Sequence, residues 1–244
     1  PGVREVALAT SVPGATDGAI ASIDIDLPMR IEGTAPPPAG QEPIAFITDV
    51  SESYFDVMGM SIVSGRHFDA DDRSEGPPVV IVNEALARRH LGFENPVGQR
   101  IGPPSPSAED GWRWSEIVGV LRDIRPLGFE SEPRPEVYRP IKQVGGGSLT
   151  FVLATDVDAG SIVTQATDAV WDVNPSQAVW GAATLENLLG DWLKERRFNA
   201  VLLSSFAVIA VLLSAIGMYA LIRFSMEQRV GELGIRRALG GQTP

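Results

Sequence analysis

Apolar side chains are distributed along this chain in two regimes. Up to about residue 190 they come in short runs of five to eight residues broken by Gly, Pro, Asp and Asn; then residues 198–222 pass without one charged side chain. The short runs at 3–10, 44–50, 78–82, 117–121 and 149–155 are rich in β-branched and apolar residues and are bounded by turn formers, which predicts strands. Residues 51–58 and 84–90 read as helices between them, and Asn83 stands where its side chain would cap the second one. A longer helix is expected over 161–173, stopping at Asn174-Pro175.

The last soluble segment forms the clearest unit. Strand 149–155, turn 156–160, helix 161–173 and a strand at 178–183 make a βαβ or split βαβ arrangement of the ferredoxin-like kind. Stretches rich in Pro and Gly at 34–43, 102–111 and 145–147 read as surface loops. The first and third are where a second subdomain would be inserted into the first.

The uncharged run differs in kind. As a helix its 25 residues extend about 37 Å, enough to cross a hydrocarbon core of roughly 30 Å with some tilt. Ala200, Ser204, Ala207, Ala210, Ser214 and Gly217 recur at spacings of three and four, so they share a face on which another membrane helix can pack closely. Lys194, Arg196 and Arg197 precede the run, while Arg223, Arg229, Arg236 and Arg237 follow it. That balance leans only slightly toward a cytoplasmic C-terminal side.

Charge divides the chain at the same place. Residues 1–190 carry 13 Lys/Arg against 27 Asp/Glu and the remainder carries 7 against 4, giving an acidic head and a basic tail. An acidic head argues against nucleic-acid binding, which needs clustered cations. With no cysteine there is neither a disulfide framework nor a thiolate metal site. The chain opens at Pro1 and stops at Pro244 just past a helix, and reads as an excised piece of a longer polypeptide.

No catalytic or metal-binding constellation emerges from the sequence, so an enzyme is not expected. His67 and His90 lie far apart, outside any HExxH pattern, and read as surface residues. The acidic run Asp69, Asp71, Asp72 and Glu75 departs from the calcium-loop pattern where Arg73 and Ser74 stand, and reads as a solvated turn. Gly145-Gly146-Gly147 lacks the lysine of a phosphate loop, so ATP would have to bind elsewhere.

Beyond the uncharged run, residues 226–239 have helix-forming composition and end at Gly240-Gly241, which suit a left-handed cap. Arg229, Glu232 and Arg236 make a charged stripe, and Val230, Leu233, Ala238 and Leu239 supply apolar surface. Two readings stand level on these residues. The helix lies on anionic headgroups, or it docks a cytoplasmic partner.

The segment 228–241, QRVGELGIRRALGG, resembles the cytoplasmic segment of FtsX-like permeases, with Leu233 and Gly241 as mild departures. Most of residues 1–190 is similar to the MacB-like periplasmic core domain. That similarity is carried by Pro1-Gly2-Val3, Tyr54-Phe55 with Gly59, Gly65-Arg66 with Phe68, and Val82-Asn83-Glu84 with Ala87. It continues through Asn95-Pro96-Val97-Gly98, Ile117-Val118-Gly119-Val120 with Asp123, and Pro135-Glu136-Val137-Tyr138-Arg139-Pro140. Each piece is weak alone; their order is specific.

The resemblance implies an α+β periplasmic domain, with a ferredoxin-like porter part at 1–60 and 136–190 and an inserted α+β lobe at 61–135. A transmembrane helix at 198–222 and a short cytoplasmic coupling helix at 226–240 would follow, the first, third and fourth membrane helices being absent from this chain. It further implies a bacterial inner-membrane ABC transporter permease, periplasmic before the span and cytoplasmic over 223–244. Its partners would be a separate ATPase that binds the ATP, the bilayer, a second copy or pseudo-copy, and a periplasmic adaptor, with no cofactor held here. On that analogy Arg229, Glu232, Leu233, Ile235, Arg236, Arg237 and Leu239 contact the ATPase. Efflux is the expected task. A signalling scaffold acting on a peptidoglycan hydrolase, or a lipoprotein-release permease, is the alternative within the same resemblance.

Overall fold

The computed structural model describes residues 2–12, 25–35, 37–38, 41–92, 95–124, 132–145, 147–179 and 181–238. It is an α+β structure whose strands are β1 (Val3–Ala9), β2 (Ile25–Pro28), β3 (Arg30–Ile31), β4 (Ile44–Val50), β5 (Ile62–Gly65), β6 (Val79–Asn83), β7 (Arg100–Gly102), β8 (Ser115–Leu121), β9 (Glu136–Pro140) and β10 (Thr150–Thr155). Helices α1 (Tyr54–Val57), α2 (Glu84–Leu86), α3 (Ile141–Val144), α4 (Ala159–Val173) and α5 (Leu185–Ala238) complete it, and α2 continues as a π-helical turn over Ala87–Leu91. Five of the six expected strands form within a residue or two of their anticipated ends. The expected helix at 51–58 shrinks to the single turn α1.

The strands build one mixed sheet in the order β10-β1-β4-β9-β6-β8-β7-β3, with β2 added to β4 and β5 added to β8. Segment 61–135 contributes β5, β6, β7 and β8 to this sheet. Its strand β6 pairs antiparallel with β9 through Ile81↔Tyr138 and Val82↔Val137, and residues 1–189 form one compact unit. In the other direction β3, from the first sixty residues, pairs with β7.

Both faces of this sheet are buried at its centre. On β6, Val79 and Ile81 enter one apolar cluster with Tyr54, Phe55, Phe68, Leu121 and Tyr138. Val80 and Val82 enter the other, with Ile47, Leu86, Ile101, Ile117 and Val137. Strict alternation puts consecutive residues on opposite faces, so a strand covered on both sides must be apolar throughout, as the run at 78–82 is. Phe55 centres the first cluster. Its ring meets those of Tyr54, His67, Phe68 and Tyr138 at centroid distances of 5.4–5.9 Å, mostly edge to face, the arrangement aromatic quadrupoles favour.

Strand β8 shows a register shift against β6 between Val80 and Ile81, which pair with Ile117 and Gly119. The extra residue changes the phase of alternation: Ile117 and Val120 share one cluster, Val118 and Leu121 the other. On the other side of β8, glycine permits a close approach to β5 beside the bulge. A Cβ on Gly119 would lie 2.4 Å from the Arg66 carbonyl oxygen, and one on Gly65 would lie 2.2 Å from that of Val118.

Two expectations fail at the C-terminal side. Among the described residues of 178–183 no strand forms: Gly181 has φ +69°, and Gly181-Ala182-Ala183 have little preference for extended pairing. β10 instead pairs antiparallel with β1. The second correction concerns the separate helices at 198–222 and 226–240. They are parts of the single helix α5, because Arg223-Phe224-Ser225 contain no Pro or Gly to interrupt the hydrogen-bond ladder. The expected cap at Gly240-Gly241 lies outside the described residues.

Gly65→Ala and Gly98→Ala form a matched test of the close approach at the bulge. Both glycines have left-handed φ, +82° and +90°, and only Gly65 faces backbone atoms within contact range. Gly98→Ala should cost the conformational penalty of about 1–2 kcal/mol, and Gly65→Ala clearly more. Thermal unfolding of the two variants measures the difference, and equal losses would refute the steric argument.

Candidate functional site

Two features of the molecule can couple to other components: the apolar stretch of α5 and the polar joints that fix the ends of the central strands. The first begins with composition. Within α5, Ala200–Met226 is a 27-residue stretch of mean hydropathy 2.5 with none of its most apolar window buried. Leu203, Phe206, Val211, Leu213, Ile216 and Leu221 are all exposed by more than half. A helix apolar on every side and uncovered by protein suits a lipid environment. Ser205 donates its hydroxyl to the Val201 carbonyl, which satisfies that donor within the helix.

Ala200, Ser204, Ala207, Ala210, Ser214 and Gly217 all lie on this stretch and are exposed. At 100° per residue they occupy an arc of roughly 140°, so the expected small-residue face is present. Arg229, Glu232, Leu233, Ile235, Arg236 and Arg237 fall on the last turns of the same helix. Arg229, Glu232 and Arg236 share one face by register. Leu239 lies outside the described residues.

The polar joints escaped the sequence reading apart from one residue. Asn83 was expected to cap the helix after it, and its Oδ1 does accept the Leu86 N–H at 3.0 Å. The same oxygen accepts the Glu136 N–H at 3.0 Å, and Nδ2 donates to the Arg134 carbonyl at 2.8 Å. One side chain thus ties the end of β6, the start of α2 and the start of β9. From β8, Asp123 accepts the Ala85 N–H at 2.7 Å and pairs with Arg88, while Glu84 accepts the Asp123 N–H at 3.1 Å. This is a reciprocal cap between the start of α2 and the segment just after β8. Partners some 40 to 50 residues apart in sequence leave no local pattern to read.

Asp49 and Arg139 form a second joint, a bidentate pair at 2.6 and 3.0 Å on the neighbouring strands β4 and β9. Close by, Tyr138 donates to Glu136 at 2.5 Å. Burial pushes the Glu136 carboxyl above the usual carboxylate range, only partly offset by that hydroxyl and by Arg134. Burial and the same carboxylate together raise the Tyr138 phenol.

The acidic run at 69–75 is not wholly a solvated turn. Asp72 is buried and receives the Arg66 guanidinium through two bonds, of 2.7 and 2.9 Å, as well as the Asp69 N–H at 2.9 Å. His67 lies half-buried against the Phe55 ring. Desolvation, then the neighbouring Arg89 charge, lowers the pKa of half-buried His90. Among the described residues no group of three or more His, Asp or Glu side chains is arranged to hold a metal ion. A shallow cleft lined by Met29, Ile47, Ile101, Arg113, Arg139 and Gln143 opens at the edge of the second apolar cluster.

Comparison with known proteins bears on both features. Residues 4–173 match the MacB-like periplasmic core domain family. The macrolide export ATP-binding/permease protein MacB of Rhodopseudomonas palustris (strain HaA2) is 27% identical over 220 residues, covering 83% of this chain and 31% of that protein. The uncharacterized ABC transporter permease YknZ of Bacillus subtilis (strain 168) is 23% identical over 210 residues, covering 82% of this chain and 50% of that one. The chain thus spans between about a third and a half of these relatives. Among solved structures, the extracellular domain of YknZ aligns with a TM-score of 0.48 at 16% identity, covering 75% of this chain and 82% of that one. The periplasmic region of MacB from Actinobacillus actinomycetemcomitans aligns with a TM-score of 0.46 at 19% identity, covering 70% and 68%.

The Arg66–Asp72 joint gives a pH-dependent prediction. Burial acts to raise the Asp72 carboxyl, but the Arg66 and Asp69 hydrogen bonds outweigh it and hold the group below its ordinary value. A depressed carboxylate contributes its stability above the unfolded-state value and loses it as pH falls through the folded-state value. Asp72→Asn should therefore cost about 1–2 kcal/mol at neutral pH, Arg66 being partly exposed, and should flatten the acid limb of stability against pH. Urea unfolding at several pH values checks both, and an unchanged acid limb would remove Asp72 as its source.

Proposed function

We propose, because the chain belongs to the MacB-like periplasmic core domain family, that it is the extracytoplasmic head and one membrane helix of a bacterial ABC transporter permease. The observation that carries this reading is the order of parts: a family match over residues 4–173, then an uncovered apolar stretch at Ala200–Met226, then further helix to Ala238. The head lies outside the cytoplasm, the apolar stretch crosses the inner membrane, and residues 223–244 face the cytoplasm.

On this reading ATP is bound and hydrolysed by a separate ATPase subunit. Closure of that subunit on ATP moves the cytoplasmic end of α5, and the uninterrupted helix carries the displacement to the head. Arg229, Glu232, Arg236 and Arg237 make the polar contacts to the ATPase, with Leu233, Ile235 and Leu239 supplying apolar ones. The small-residue face from Ala200 to Gly217 packs against the permease's other membrane helices. Two copies or pseudo-copies assemble, and the head engages a periplasmic adaptor. The work done is efflux.

Arg236→Glu in the full-length permease tests the coupling contact. Replacing a charge-assisted contact with a like-charge clash removes about 1.5–3 kcal/mol, tenfold or more in affinity for the ATPase. Transport by membranes containing both subunits should fall, while the isolated ATPase keeps its basal turnover. Unchanged assembly and unchanged transport would exclude Arg236 from that interface.

A further inference from the structure

The sheet of the head has an unprotected edge. β10 lies at its end and, among the described residues, pairs only with β1. Its sequence, Thr150 to Thr155, contains neither a charged residue nor a proline, two of the devices by which edge strands avoid pairing with other chains. The direction of its backbone groups follows from β1. The Leu8 N–H donates to Ser51 Oγ at 2.9 Å, the Leu8 carbonyl accepts the Ser51 N–H at 2.9 Å, and the Val6 carbonyl accepts the Ser53 hydroxyl at 2.7 Å. These groups all turn away from β10. Residues opposite each other in an antiparallel pair either exchange both backbone bonds or both turn away. Leu8 stands opposite Phe151 and Val6 opposite Leu153, so Phe151 and Leu153 direct their N–H and C=O groups to the free edge.

The side chains beside that edge are apolar and uncovered. Phe151 is 54% exposed and Val6 45%. With Leu8 and Leu153 they share the face of the sheet opposite Ala7, Ala9 and Val152, which meet the first apolar cluster.

We propose that the occupant of this edge is β10 of a second copy of the chain, paired antiparallel about a two-fold axis through Val152. The proposal rests on the reading that two copies of the permease assemble. A row of free N–H and C=O groups is matched by another extended backbone, and residues 178–184 supply no strand among those described. A second β10 fits by register. The outward groups fall on odd-numbered residues, so a two-fold pairing must join odd positions to odd positions. The register that uses the whole strand sets Phe151 against Leu153 of the second copy and Val152 against its own counterpart. An aromatic ring then meets an aliphatic side chain across the strands, a stabilising pair. No like charges are opposed, because Asp156 falls past the end of the pairing, opposite Ser148. The contact is isologous, as a closed dimer requires. It is also small, one strand of 6 residues per copy against about 20–30 residues a side in a stable interface. It therefore closes only where the membrane helices hold two copies at an effective concentration of about a millimolar.

Because the chain has no cysteine, Val152→Cys places a single thiol on the proposed axis of the full-length permease. Opposed residues that do not share backbone bonds have Cα atoms about 4.5 Å apart, within disulfide range. Mild oxidation in membranes should convert most of the Val152→Cys protein to a linked dimer, while Glu109→Cys, on an exposed loop, stays monomeric. Leu153→Pro removes an outward N–H and no bond to β1, and in the Val152→Cys background it should abolish the link. Phe151→Lys keeps the whole backbone and should weaken it. Linking at 152 no better than at 109, or linking unchanged by both second substitutions, overturns the proposal. Light scattering of the unlinked permease in detergent separates the two readings: a two-copy mass without a link at 152 overturns the edge contact alone, whereas a single-copy mass overturns the assembly reading with it.

Discussion

Burial of the sheet on both faces is the constraint from which the rest of the head follows. A strand covered on one side can alternate polar and apolar residues, but β6 is covered on both, with all five of its residues buried. Such a strand has no surface to give to charged groups. Polar work is therefore pushed to strand ends, and Asn83, Asp123 and Glu136 are found there, with Asp49 one residue from the end of β4. The same constraint accounts for the bulge in β8. Without the extra residue, Val118 and Leu121 would point to different sides, and one would leave its cluster.

The polar joints complete what apolar burial leaves undetermined. Hydrophobic contact fixes which faces meet but tolerates sliding, whereas Asn83 accepts two N–H groups and donates to a carbonyl from segments about fifty residues apart. A buried side chain with several partners in fixed directions sets position as well as proximity. Arg139 with Asp49 does the same on the other flank of β9. That strand, which joins β4 to β6, is thus pinned from both neighbours.

Much of this was legible in the sequence, and the limits have physical causes. Strands β4, β6 and β8 could be read because two-sided burial leaves compact apolar runs, β1 and β10 by their β-branched and apolar composition, and the Asn83 cap because capping is local. The short strands β2, β3, β5 and β7 were missed, since two to four residues carry too little pattern, and β3 and β7 find their partners across about seventy residues; β9 was missed because Glu136, Arg139 and Pro140 interrupt its apolar run. Residues 178–183 looked like a strand by apolar content alone, while Gly181 decides against it through backbone conformation. The acidic run misled in the opposite sense: Asp72 reads as one more surface carboxylate until Arg66 is seen folded over it. For the apolar stretch of α5, length and absence of charge were sufficient. The side chains beyond it were read only by register.

A continuous α5 also determines where the chain can bend. Flexing the helix at any internal point would stretch or break backbone hydrogen bonds, since no proline lies between Leu185 and Ala238. The residues just before it, 178–184, include no described helix or strand, and Gly181 there already holds a left-handed conformation. Among its described residues α5 thus has no built-in hinge, and it behaves as a stiff beam.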